Sequence, residues 1–463
     1  MKEKTFHMVS LGCAKNTVDS DGMAQILNHD GFSPVDSPSE AEVLIVNTCG
    51  FIRPAREESY KVLRDLVNHK EPGQVLIAAG CLTQRYGQEV VRQVPRLDGV
   101  LGTRRWMDIL EVVNTLRKGD RAEPLYHLPE VNTVGRDTRG AIQAHLQGTS
   151  AYLKIADGCR RPCAFCAIPL IKGTLVSRPI AEILDEARLL RDNGVREINL
   201  IAQDTTDYGH DLGMENGLAR LLVNLTEAVP DVDWIRVLYA YPGYVTDRLI
   251  DVMASHPQIL PYLDMPLQHG HPDTLRRMHR PANVEWVYET VEKLREAMPE
   301  IALRSTFLVG FPGETQEEFE ALLGFIEDIQ FDRVGTFTFS FEQGTPSESL
   351  GDPIPEDVKE ARKEELMVRQ QNISLAKNQA LVGKTLNVLM EGQGMIEGTT
   401  DMITLGRSYR DAPEIDGMVI VEGEVPVGDI VPVEINGAMV YDLTAVPVDE
   451  SAKDTGSIQI SIT

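Results

Sequence analysis

The chain has no apolar run that approaches the length of a membrane span, and its first residues, Met1-Lys-Glu-Lys-Thr-Phe-His7, lack the apolar core of a secretory signal. The expected location is therefore cytoplasmic, with no membrane partner. Thiols stay reduced there, so the scarcity of cysteine, six in 463 residues, points to metal binding or catalysis and away from a disulfide framework. Basic charge is also in short supply. Lys and Arg number 45 against 70 Asp and Glu, a net charge of −25 and a pI near 4.8. That balance disfavours a protein whose main task is to grip phosphate backbones and suits one that attracts a basic partner. Apolar content is ordinary at 42%, and the length allows two to four domains, each with its own core.

Half of the cysteines fall in one short segment, Cys159-x-x-x-Cys163-x-x-Cys166, directly after the strand-like run Tyr152-Leu-Lys-Ile-Ala156. Three thiolates this close can wrap one face of a cubic iron–sulfur cluster and leave the fourth iron open to chemistry, whereas an electron-transfer cluster is closed by four cysteines. Zinc is the plain alternative. A structural zinc site wants four ligands, and the nearby histidine, His145, lies on the wrong side of the predicted strand.

Up to about residue 132, short β-rich runs alternate with helical patterns, which predicts an open parallel sheet covered by helices. The clearest strands are Phe6–Ser10, Val43–Val46 and Val75–Ala78, and each is followed within a few residues by a cysteine: Cys13, Cys49 and Cys81. Ligands of such sheets bind outside the carboxyl ends of the strands, so these thiols should converge. Each could instead be a small buried apolar residue, but three at equivalent strand ends favour a second three-thiolate metal site. Residues 133–148 are polar and read as a linker.

Residues 149–375 repeat a strand-and-helix rhythm six times, with strands at Tyr152–Ala156, Glu197–Ala202, Trp234–Tyr239, Tyr262–Pro266, Ile301–Val309 and Arg333–Phe341 and helices such as Ile180–Asp192 and Gln316–Ile329. This predicts a partial (β/α)6 barrel whose chemistry sits at the carboxyl ends of its strands. A charged helix over about Pro355–Leu381 leads to residues 376–448, where runs at Thr385–Met390, Met418–Val421, Asp429–Ile435 and Asp442–Val446 predict a small antiparallel β-barrel. The tail, 449–463, reads as mobile.

The phrases Ser10-Leu-Gly-Cys-Ala-Lys-Asn16, Val46-Asn-Thr-Cys-Gly-Phe51, Ala79-Gly-Cys-Leu82, Asp157-Gly-Cys159 and Ser177-Arg-Pro179 resemble the radical S-adenosylmethionine (SAM) methylthiotransferase family, over nearly the whole chain. Gly173-Thr-Leu-Val-Ser-Arg-Pro179 and Gly406-Arg-Ser-Tyr-Arg-Asp-Ala-Pro-Glu-Ile-Asp-Gly417 resemble its ribosomal-protein aspartate branch (RimO type) rather than its tRNA adenosine branch. Charge supports that separation. The terminal barrel, TRAM-like under the resemblance, carries four Lys or Arg against eleven Asp or Glu between Ala376 and Pro447, a net of −7 that would repel RNA.

The resemblance implies two [4Fe-4S] clusters and SAM as cofactors, with an open iron on each cluster. Cys159, Cys163 and Cys166 would hold the cluster that cleaves SAM to a radical. Cys13, Cys49 and Cys81 would hold an auxiliary cluster carrying the sulfur to be methylated and transferred. The substrate would be the β-carbon of one aspartate of small-subunit ribosomal protein twelve, alone or in the small subunit, with an electron donor such as flavodoxin or ferredoxin and tRNA disfavoured. Such chemistry at an unactivated C–H bond is beyond any side chain near neutral pH and must come from a cofactor. SAM contacts are expected from Phe165, Ser177, Arg178, Gln203, Asp204, Gln268 and Arg304, Arg178 being equally able to form a structural salt bridge. His269 and His271 lack a third metal partner and read as loop residues. The alternative from another class is a non-catalytic iron–sulfur or zinc protein that binds RNA.

Overall fold

The computed structural model describes residues 4–119, 123–395 and 402–448. Its first layer is a sheet of six parallel strands, β1 (Thr5–Ser10), β2 (Ser33–Pro34), β3 (Val43–Thr48), β4 (Val75–Gly80), β5 (Gly99–Gly102) and β6 (Leu125–His127), in the order β2-β1-β3-β4-β5-β6. Every residue of β3 is buried, which is why Val43-Leu-Ile-Val46 reads as an unbroken apolar run: a parallel strand covered by helices on both faces needs no polar side. The strand order reverses between β1 and β3. The crevice at that switch point is where a doubly wound sheet receives its ligand.

The central sheet contains β7 (Ala144–Gln147), β8 (Ser150–Lys154), β11 (Glu197–Ile201), β12 (Trp234–Val237), β13 (Ile259–Asp264), β14 (Ala302–Val309) and β15 (Arg333–Thr338), with the two-residue strands β9 (Ala156–Asp157) and β10 (Val176–Ser177) paired separately. From β8 to β15 all neighbours are parallel, the predicted six-stranded unit. Its helices include Ile180–Asp192 and Gln316–Ile329, the bounds read from the sequence. The second starts at a capping box, Thr315 accepting from the Glu318 backbone while the Glu318 side chain accepts from Thr315.

The linker expected over 133–148 ends differently. Ala144–Gln147 forms β7, antiparallel to β8. Only Ala144 of its four residues is buried, so this edge strand carries no apolar alternation to betray it. Helix Glu356–Gln379 leads into the terminal domain, a closed barrel of β16 (Thr385–Met395), β17 (Met402–Ser408), β18 (Val419–Glu422), β19 (Ile430–Ala438) and β20 (Leu443–Pro447). Four of these five strands were expected. The fifth, β17, runs into the phrase Gly406–Gly417 and has Gly406 packed on the Leu389 backbone. The tail expected to be mobile lies outside the described residues.

Ion pairs join the domains. Asp19, on helix Ala14–His29, meets Lys154 of β8 at 2.5 Å and Lys172 at 2.6 Å, and both lysines also reach Asp157 at 2.8 and 3.2 Å. Glu342, after β15, accepts from Arg56 and from Arg85 at 2.8 Å. Arg407 of the barrel meets Glu197 at 2.5 Å, and Glu197 also accepts from Arg236 at 2.9 Å.

Candidate functional site

Cys13 precedes helix Ala14–His29 as its N-cap, Cys49 follows β3, and Cys81 opens helix Cys81–Gln93. All three stand at the carboxyl edge of the first sheet, around its switch point. Their approach depends on missing side chains. Gly12, at φ +98°, faces Cys49 so closely that a Cβ would stand 2.9 Å from the cysteine Cβ, and a Cβ on Gly50 would lie 2.5 Å from Leu82 Cα. Asn16 stitches the three loops together. Its Nδ2 donates to Leu11 O at 2.8 Å and Thr48 O at 3.1 Å, and its Oδ1 accepts from Cys81 Sγ at 3.5 Å. Asn47 in turn donates to Asn16 O at 2.8 Å.

On the facing domain, the β9–β10 pair clasps the base of the loop that carries Cys159, Cys163 and Cys166. Arg161 sits within that loop, bound to Asp204 at 2.6 Å and lying over the rings of Tyr244 and Tyr241 at 3.6 and 4.5 Å from their centroids. Arg280 covers Tyr241 at 4.2 Å and donates to Cys163 Sγ at 3.5 Å. This alternation of cations and rings holds the loop from below.

The two sets of cysteines open into one cavity of about 340 Å³, lined by all six together with Lys15, Asn16, Phe165, Gln203, Tyr239 and Gln268, among others. Tyr239 and Gln268 take φ of 63° and 75° at the ends of their strands, left-handed values that cost non-glycine residues energy and cluster at functional sites. Burial pushes the Cys159 thiol up to about 11 and raises those of Cys49, Cys81 and Cys166 as well. Such thiols bind metal as thiolates, releasing their protons to solvent as the metal takes their place. Burial also lowers Lys15 to about 8.

The donor sets fit a cluster better than a single ion. Among the described residues, the groups of three His, Cys, Asp or Glu ligand atoms within 4.8 Å of one another are Asp108/Glu111/His127 and His271/Asp273/Glu318, and neither cysteine set is among them. Zinc with Zn–S bonds of about 2.3 Å would draw its sulfurs to roughly 3.8 Å. Gln203 Oε1 is buried without a hydrogen-bond partner at the cavity wall, as a group awaiting a polar ligand would be.

The other expected SAM contacts divide. Phe165, Gln203 and Gln268 line the cavity. Asp204 stands behind its wall, holding Arg161. Ser177, Arg178 and Arg304 are outside the lining and committed elsewhere: Ser177 Oγ accepts from Gly209 N at 2.9 Å, Arg178 grips Glu186 at 2.6 Å, and Arg304 binds Asp264 at 2.9 Å and Asp416 at 3.3 Å. For Arg178 the salt-bridge alternative is the observed one. His145 binds Asp21 at 2.7 Å, and His271 caps helix Pro272–Arg277 by accepting from Asp273 N at 3.2 Å. His269 is buried, with burial bringing it down to about 3, and accepts from His271 N at 2.9 Å. Arg161, Tyr241, Tyr244 and Arg280 escaped the sequence reading. Their one signal was Arg161 inside the cysteine loop, since the others lie some 80 to 120 residues away.

Comparison with known proteins places this geometry. Family models match for the Radical SAM superfamily over residues 153–326, the Uncharacterized protein family UPF0004 over 5–102 and the TRAM domain over 382–448. In fold, the chain is similar to the radical S-adenosylmethionine methyltransferase TsrM from Kitasatospora setae, solved with cobalamin and a [4Fe-4S] cluster, at a TM-score of 0.56 and 15% identity over 74% of this chain and 73% of that one. Fold and site together define a radical SAM enzyme with an added N-terminal α/β domain and a terminal TRAM barrel. Sequence relatives go further: the chain is 47% identical to the ribosomal protein uS12 methylthiotransferase RimO of Roseiflexus sp. over 98% of its own length and 99% of the relative's, and 49% identical to that of Chloroflexus aurantiacus over 95% and 98%. For Geobacter sulfurreducens the identity is 42%, over 96% and 98%. The chain belongs to the RimO family of radical SAM methylthiotransferases, and is a transferase that uses SAM and an iron–sulfur cluster.

Proposed function

We propose that this enzyme acts in the cytoplasm and inserts a methylthio group at the β-carbon of one aspartate of ribosomal protein uS12, free or within the small subunit. Cys159, Cys163 and Cys166 hold the SAM-binding [4Fe-4S] cluster, and Cys13, Cys49 and Cys81 hold a second one. When bound, these groups supply what side chains cannot, namely one-electron cleavage of SAM, removal of a hydrogen atom from carbon, and the sulfur that replaces it. A low-potential protein such as flavodoxin or ferredoxin delivers the electron. The chain's own residues do the positioning. Gln203 and Gln268 offer amides to the cofactor's polar groups and Phe165 an aromatic face. Arg161 and Arg280 keep the cysteine loop in place, and Arg280, which donates to Cys163 Sγ, adds positive charge beside an anionic cluster.

The observation that carries this reading is a single cavity that receives six cysteines from two domains. One carbon can then lie within reach of both sets. Charge supports a basic protein substrate over RNA: of the four cations between Ala376 and Pro447, Arg407 and Arg410 are buried against acidic residues of the central domain, Lys377 meets Asp332 at 3.0 Å, and Lys384 alone is exposed.

Cysteine variants of the reconstituted enzyme test the division of labour. Cys163→Ala is expected to abolish 5′-deoxyadenosine formation, because two thiolates do not hold the cube. Cys49→Ala is expected to keep 5′-deoxyadenosine formation and lose methylthiolation of uS12, read by mass spectrometry. Methylthiolated uS12 from the Cys49 variant would refute the assignment of two sites.

A further inference from the structure

Four side-chain cations line the cavity: Lys15, Arg161, Lys172 and Arg280. Arg161 is neutralised by Asp204 and Asp207, and Lys172 by Asp19 and Asp157. Arg280 lies against Cys163 Sγ and donates to Pro266 O, at the cysteine set of the central domain. Lys15 is different. It stands two residues after Cys13 and is only 8% exposed, and its ammonium makes no hydrogen bond or ion pair among the described residues. Its ammonium crosses the domain boundary to lie 3.0 Å from the centroid of the Tyr239 ring. Of the acidic groups nearby, Asp264 is engaged with Arg304 and Asp157 with Lys154 and Lys172, and the third is the Cys13 thiol, which the proposed function gives to a cluster.

An ammonium largely withdrawn from water at a cavity wall, without an anion, is unfavourable, and the ring face offsets only part of the hydration it gives up. Methionine or leucine would fill the same volume without that cost. The cation therefore makes sense where an anion arrives with a ligand. On the function proposed above, on which this step rests, the reacting carbon carries a carboxylate as its immediate neighbour. We propose that Lys15 binds the side-chain carboxylate of the target aspartate, holding its β-carbon between the two cysteine sets and selecting aspartate over its neutral isosteres.

Two arms test this on the reconstituted holoenzyme. In the first, wild-type enzyme is given uS12 and uS12 with asparagine in place of the modified aspartate, a change that keeps the β-hydrogens and removes the charge. Binding to the asparagine form is expected to weaken by about 10- to 100-fold, the effect of losing a hydrogen bond between two charged groups. In the second, Lys15→Gln is expected to raise the KM for uS12 by a similar factor, roughly 10- to 100-fold, with a much smaller change in the half-saturating SAM concentration, while Lys15→Arg restores part of the loss.

Equal binding of the two uS12 forms by the wild-type enzyme would overturn the proposal. So would a Lys15→Gln variant whose defect is confined to SAM, which would give the ammonium to the cofactor's carboxylate instead. Should Lys15→Gln fail to load its clusters, the comparison of the two uS12 forms on wild-type enzyme decides alone. Failure of the wild-type enzyme to modify uS12 at all is a separate result, one that removes the substrate assignment itself.

Discussion

Asn16 shows how much of a metal site can depend on a residue that is not a ligand. Its amide satisfies two carbonyls from separate loops and accepts from the third cysteine. Replacing it with alanine takes a donor from the buried carbonyl of Thr48 and the partly buried one of Leu11, at about 1–3 kcal/mol for the buried group. The expected outcome for Asn16→Ala is a lowered melting temperature and, after reconstitution, a loss of about half of the bound iron with 5′-deoxyadenosine formation retained. Iron analysis beside a SAM-cleavage assay checks this. The cysteines were legible in the sequence because their types and spacing advertise them. Asn16 and Lys15 lie within a phrase that was also legible, yet their roles emerge only when Thr48, Cys81 and Tyr239 are brought alongside. Ser177, Arg178 and Arg304 show the converse: polar residues at strand ends have the right chemistry for a cofactor, but nothing local says that Gly209, Glu186 and Asp264 have already engaged them.

Among the elements, the segment Gly406–Gly417 turns from a signature into a structural part. It leaves β17 and plugs the amino end of the central sheet: Arg407 binds Glu197, Arg410 binds Asp332 at 3.0 Å, Asp411 binds Arg333 at 2.7 Å, and Asp416 accepts from Tyr262 at 2.6 Å and from Arg304. Ala412 joins Tyr152, Trp234 and Tyr262 in the apolar cluster inside the sheet. Removing Arg407 leaves Glu197 with Arg236 and the Ser150 hydroxyl but without its second cation, so Arg407→Ala is expected to destabilise the protein by about 1–3 kcal/mol. Thermal unfolding and faster proteolysis at the barrel junction would report it. Strands buried on both faces were plain in the sequence. Short edge strands such as β6 and β7, and β5 with a glycine at each end, were not, because three or four half-exposed or glycine-rich residues carry too little periodicity to be read.

For the whole molecule, carboxylates buried at the domain seams set the behaviour in acid. Burial pushes the Glu197 carboxyl up, but Arg407 and Arg236 outweigh it and bring it from the usual 4.5 down to about 2; Asp157, buried but between Lys154 and Lys172, falls from 3.8 to about 2. A folded-state value below the unfolded one means that unfolding takes up protons. The stabilisation is therefore present above about pH 4.5 and is lost as the pH falls from there toward 2. Melting temperatures are expected to decline gently once the pH falls below 6.5, where unfolding frees buried His269 to take up a proton, and to drop faster between pH 4.5 and 2, with the Arg407→Ala variant showing a shallower fall in that lower range. A steep loss already between pH 7 and 6 would contradict it.

The clasp of Ala156–Asp157 on Val176–Ser177 has a bearing on repair. Because that pair and the Arg161 stack tie the cysteine loop to the sheet, part of its ordering entropy is met by contacts formed on folding. Loss of iron to oxygen is then expected to leave those contacts in place, so that recovery is paced by iron and sulfide supply more than by refolding of the loop.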